Sequence, residues 1–255
     1  MIVYIVAAAC AAGVVLVASR LVRKARAGVE DPDPDGPTAA HTGAMLSALF
    51  LLAFAIAIVV PWTSADAARS NTYAESQAVA EAYWAAQRLD APDARRVQQG
   101  LISYVDLVRG PEWRAMRHGR LTARGWADLD RLRRDVIAIK AGTDELKDAR
   151  NAVLDHIGEI SAARRQRAMD ARVTPPPGLI ATTALTGIVV VLLPFLTGAR
   201  PRGATLVPLT LMAALLAAGI YLSIDISHVF AGALAVGPDA FTGLHADLRR
   251  IAGGG

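Results

Sequence analysis

The stretch GAMLSALFLLAFAIAIVVPWTSADAARSNTYAESQAVAEAYWAAQRL, residues 43–89, decides how the chain is built. Residues 43–61 carry no charge, which is about the length needed to cross some 30 Å of hydrocarbon as an α-helix. The part from Ser70 to Leu89 is polar but rich in Ala, Glu and Gln, all strong helix formers. The helix is therefore predicted to leave the membrane and continue into water.

Three further runs are equally free of charge: 1–19, 178–199 and 203–224. Unbroken apolar runs lack the alternation of a barrel strand, and only helices or closed barrels satisfy their backbone in lipid. The sequence thus predicts an all-α protein with four transmembrane helices in two hairpins. A helical extramembrane domain, residues 62–177, is inserted between the hairpin 1–61 and the hairpin 178–224. Residues 225–255 form a turn and an amphipathic helix through Phe241, Leu244, Leu248 and Ile251, expected to pack on the bundle. The predicted location is the cell membrane, multi-pass, with the lipid bilayer as first partner.

The chain is 53% hydrophobic and 20% charged, with long uncharged runs alternating with a charge-rich middle. The net charge of +4 comes without a basic stripe or stacking aromatics, so nucleic acid is excluded as a partner. Cys10 is the only cysteine, which precludes an intrachain disulfide, and it reads as a small helix residue. Arg20, Arg23, Lys24 and Arg26 follow the first run rather than precede it, the flank of an anchor and not of a cleaved signal.

Inside the insert, helix boundaries are marked by turn and capping residues. One helix starts at Asp90-Ala91-Pro92, aligns Val97, Leu101, Tyr104 and Val108, and should stop at Gly110-Pro111. The next starts at Thr122, aligns Trp126, Leu129, Val136 and Ile139, and should end at Gly142. The last is capped by Thr143 and aligns Leu146, Ala149, Val153, Ile157 and Ile160. Pro194 and Pro208 sit within apolar runs, and Ala213/Ala217 and Ala214/Ala218 offer a small-residue face for close helix contact.

No catalytic motif is present, so the chain is read as a non-enzyme without cofactor or metal. Asp225 and His228 lie three apart at the end of the fourth apolar run. They read as a structural turn at the membrane exit or as a pore mouth. Glu75 and Glu81 are six apart, on different faces of a helix, and read as part of a charged, solvated surface. Arg164, Arg165, Arg167 and Arg172 crowd the entrance to the third span and read as a positive flank that favours a cytoplasmic insert. The charges after the first span argue for the opposite orientation.

Four stretches together resemble the bestrophin-like family of bacterial membrane proteins: NTYAESQAVAEAYW at 71–84, GLISYVDLVRGPEW at 100–113, ARRQR at 163–167 and IDISHVFAGALAVGPDAF at 224–241. The resemblance implies a distant similarity to bestrophins, pentameric anion channels with four membrane helices per subunit. It implies a homo-oligomer, with a pentamer as the family's precedent. It also implies that the second span lines a pore, through Leu46, Phe50, Phe54 and Ile58 at helical spacing. The calcium-binding acidic run of bestrophins has no counterpart here, since its place holds only Asp239. The leading functional expectation is an oligomeric ion channel, conducting anions. The alternative is a non-conducting scaffold or sensor whose residues 62–177 bind a protein partner.

Overall fold

A computed structural model describes residues 37–172, 177–196 and 206–253, with Gly13, Val17 and Arg20 besides. The predicted first span at 1–19, the loop that follows it and the RPR turn at 200–202 otherwise lie outside the described residues. Every regular element described is helical. In chain order these are α1 (Pro37–Ala86), α2 (Ala91–Leu107), a π-helical segment (Val108–Glu112), α3 (Trp113–Met116), α4 (Ala123–Ile137), α5 (Asp144–Asp170), α6 (Pro177–Leu196), α7 (Leu206–Ile226) and α8 (Asp239–Gly253).

α1 is one helix of 50 residues, so the predicted second span does continue into the polar region. Its stretch Ser47–Ala86 is long and apolar enough to cross a membrane, with a mean hydropathy of 2.2 over the apolar window. Ile180–Leu193 in α6 and Thr210–Ile226 in α7 are apolar but shorter.

The chain divides into two compact units: Met1–Trp62 with Pro175–Ser227, and Thr63–Thr174 with His228–Gly255. In the first, α7 meets α1 through small residues. A Cβ at Gly219 would fall on the Phe54 ring, so only glycine lets that ring settle there. One turn on, a specific hydrogen bond follows from the covalent structure. Pro61 lies inside α1 and has no N–H, so the carbonyl of Ala57 loses its helical donor. The Ser223 hydroxyl donates to that carbonyl at 2.5 Å, with Ser223 and Ala57 both buried. Between α6 and α7, Gly187 makes room for Leu216, and Val191, Phe195 and Ala213 form a small core. Within α6, the Thr186 hydroxyl donates back to the Thr182 carbonyl of its own helix at 2.8 Å.

The second unit is a helical bundle whose core contains the predicted stripes. Val97, Leu101, Tyr104 and Val108 are buried, as are Leu129, Val136, Ile139, Ala149, Val153, Ile157 and Ile160, while Trp126 and Leu146 are half-buried. Thr143 caps α5 by accepting from the Leu146 N–H at 3.3 Å. α8 packs on this core through Phe241, Leu244 and Leu248. Two predicted boundaries move. α4 ends at Ile137, not Gly142, because the chain turns at Ala138 and drops Ile139 into the core. The expected stop at Gly110-Pro111 becomes a π-helical turn instead: the Trp113 N–H reaches the Val108 carbonyl five residues back, and the wider turn accommodates Pro111.

The Ala57 account makes a paired prediction. Ser223→Ala should cost about 1–3 kcal/mol by stranding a buried carbonyl. Adding Pro61→Ala, which returns the missing N–H, should recover most of that loss. Melting temperatures of the three proteins in detergent check it, and equal destabilisation with and without Pro61→Ala would contradict it.

Candidate functional site

The centre of the second unit is a cluster of charges with no exposure to solvent. Glu75, Glu112, Arg164 and Arg167 all have side chains that are 0% exposed. Each lies where an apolar stripe continues. Glu75 shares the buried face of α1 with Ala68, Val79, Ala82 and Ala86. Glu112 follows Val97, Leu101, Tyr104 and Val108 at helical spacing. Arg164 and Arg167 extend the α5 stripe that runs through Val153, Ile157 and Ile160.

The pairing is dense. Glu75 Oε2 accepts from Arg167 Nε at 2.6 Å. Its Oε1 accepts from Arg167 Nη2 at 2.9 Å and from the Tyr104 hydroxyl at 2.5 Å. Glu112 holds Arg164 by two parallel bonds, from Nη1 at 2.5 Å and Nη2 at 2.6 Å. It also takes Arg167 Nη2 at 3.0 Å and the Thr122 hydroxyl at 2.8 Å. Two carboxylates and two guanidiniums make the group electrically neutral.

Local structure is adapted to this cluster. The π-helical turn ends on Glu112. Thr122 stands at the N-cap of α4, yet its hydroxyl serves Glu112 and makes no cap bond. Gly125 lacks a side chain where the Arg164 guanidinium lies. Arg164 Nε has no acceptor among the described residues, but the guanidinium carbon sits 4.9 Å from the Trp126 ring centre and 5.7 Å from that of Tyr104. Arg167 Nη1 donates to the Met116 sulfur at 2.8 Å, and its guanidinium lies over Phe241.

Electrostatics follow from burial and pairing. Burial would raise the Glu112 carboxyl, but the Arg164 hydrogen bonds and the charges of Arg167 and Arg164 win and hold it below the usual carboxylate range. Burial, then the Glu75 charge, push the Tyr104 phenol well above its ordinary value, so it remains a donor. Burial opposes the charge on both arginines, and the facing carboxylates overcome it, keeping them charged. Every carboxylate oxygen has a donor. The array is chemically closed, a clamp more than a reacting centre.

Two sequence expectations are corrected here. Glu75 is not on a solvated surface, although Glu81 is exposed and takes a bond from Gln77 at 2.8 Å. Arg164 and Arg167 are not a free positive flank: both are buried and neutralised, and only Arg165 and Arg172 of that group are exposed. The reason is register, since the apolar stripes of α1 and α5 deliver these four residues inward.

The residues singled out for a pore lie elsewhere. Leu46 is on α1, its side chain outside the described residues. Phe50 and Phe54 are half-buried, with ring centres 5.5 Å apart, and Phe54 packs on Gly219 of α7; Ile58 is half-buried. Asp225 is half-buried in the last turn of α7. His228 lies beyond the helix end, exposed, in the turn that reaches Gly232, whose φ of 105° requires glycine. Phe230 of that turn packs edge-on against Trp113 at 5.6 Å. Among the described residues no group of three or more His, Cys, Asp or Glu is placed to hold a metal.

Glu112→Gln should cost about 3–5 kcal/mol, because it leaves two buried guanidiniums with one carboxylate. The pH dependence has a definite sign. A carboxyl held below its unfolded value of about 4.3 contributes stability above that pH and loses it as pH falls through the folded value. The wild type should therefore lose melting temperature in acid, and Glu112→Gln should show a flatter acid limb. A variant as acid-sensitive as the wild type would contradict the assignment.

The family model of the bestrophin-like domain matches residues 5–241, and the chain belongs to this family. No curated protein and no solved structure matches it significantly.

Proposed function

We propose that this bestrophin-like chain is a multi-pass membrane subunit that assembles with copies of itself to conduct ions, anions first among them. The observation that carries the reading is the family membership joined to α1, a single helix with an apolar half of membrane-spanning character and a polar half that bears Glu75. Four spans are counted from the apolar runs: the sequence at 1–19, the first half of α1, α6 and α7.

In this reading the buried charges hold the extramembrane half of α1 to α5 and to the π-helical turn. The membrane half of α1 meets α7 through Phe54 at Gly219 and through Ala57 at Ser223. The pore-lining candidates on α1 are Leu46, Phe50, Phe54 and Ile58, and Leu51, Ile56 and Val59 are exposed beside them. The role is not enzymatic.

Planar bilayers containing the purified protein should pass current. Phe54→Ala, which empties the contact on Gly219, should change its conductance or open probability, because it loosens the seating of α1. Silence across salts with a monomeric protein by mass photometry would refute the reading. A second reading, a scaffold or sensor, is favoured by Tyr73 and Trp84, large aromatics exposed on the extramembrane half of α1. Capture of one stoichiometric partner, lost in Trp84→Ala, in a protein without conductance would select it.

A further inference from the structure

The second unit carries a concave site that the charge cluster does not use. A cleft of about 380 Å³ opens between the end of α3, the end of α5 and the turn after α7. Its rim bears Arg117, His118, Arg172 and His228, all exposed, and no acidic side chain lines it. Its deeper wall is Met116, Val229 and Phe230, which are buried.

Several arginines of this unit are paired with a carboxylate three residues away, as Arg96 is with Asp93, Arg109 with Asp106 and Arg131 with Asp128. Arg117 and Arg172 have no such partner among the described residues. The acid nearest Arg172 in sequence, Asp170, is engaged by Asn71 and Gln166. His118 has Nδ1 at 3.3 Å from the Arg114 carbonyl, so this nitrogen carries the proton and the ring is oriented with Nε2 outward. The chain comes close here because Gly119 adopts φ 68°, with the Ala171 carbonyl 3.2 Å from where its Cβ would be. The ending of α5 contributes about half a negative charge at most. The two guanidiniums outweigh it.

We propose that this cleft binds an oxyanion of the phosphate class, with Arg117 and Arg172 as the charged donors and His118 and His228 beside them on the rim. Planar guanidiniums suit the geometry of phosphate oxygens. The source of the phosphate group is a free anion or a lipid headgroup, for Arg172 shortly precedes α6 and His228 shortly follows α7, the two apolar hairpin helices.

The test uses the full-length protein in detergent and the exposed pair Arg117→Gln/Arg172→Gln, whose far-UV circular dichroism should match the wild type. Inorganic phosphate replaces chloride at constant ionic strength and the melting temperature is followed. In parallel, native mass spectrometry counts retained phosphatidylglycerol against phosphatidylcholine. A free-anion site predicts phosphate stabilisation with an affinity about tenfold weaker, or worse, in the double variant. A headgroup site predicts selective phosphatidylglycerol retention, lost in the double variant. His118→Gln/His228→Gln should weaken the same signal by a smaller factor. Neither signal in the wild type, or signals untouched by the arginine pair, would overturn the proposal. Conductance is not read, so the result is independent of the channel reading.

Discussion

Two guanidiniums without solvent dominate the second unit. Removing a charge from water costs several kcal/mol even after relaxation, and mutual attraction offsets this only when hydrogen bonding is nearly complete. The fold must therefore bring two carboxylates within about 3 Å of Arg164 and Arg167. It takes them from α1 and from the π-helical turn, and adds the hydroxyls of Tyr104 and Thr122. Much local oddity follows from that demand. Pro111 sits in a widened turn, Thr122 gives up its capping role, and Gly125 is bare under a guanidinium.

The cluster also places the family's sequence signals. Glu75 lies in the 71–84 stretch, Tyr104 and Glu112 in 100–113, and Arg164 and Arg167 in 163–167. The fourth stretch supplies Phe230 and Phe241, which cover Trp113 and the Arg167 guanidinium. Four soft motifs, far apart in sequence, thus converge on one core. Since α1 runs unbroken from Glu75 back to Ala57, the same helix that enters the clamp also makes the Ser223 contact.

Helices were legible because their determinants are local: uncharged runs of membrane length, Thr143 with its acids, and apolar stripes at 3.6-residue spacing. The π-helical turn was not, since Gly110-Pro111 carries the same signal for a stop and for a widened turn. The charge cluster was hidden by reading each ion with its chain neighbours. Glu75 has Glu81 for its acidic neighbour and the arginines have one another, so proximity in sequence conceals what helical register shows. Counting four and then three residues on from Ile160 gives Arg164 and Arg167, the same face as the core. A charge that falls in step with a buried stripe predicts a buried partner, but which segment supplies the partner is tertiary information.

Four buried charges that act as one unit must be energetically coupled. A double-mutant cycle on Glu75 and Arg167 measures this directly, using Glu75→Gln, Arg167→Met and the pair, with unfolding free energies in detergent. The double variant should lose less than the sum of the singles by about 2 kcal/mol or more, the coupling expected of contacting buried ions. Additive losses would mean that Glu75 and Arg167 stabilise the bundle separately, and the clamp would not exist.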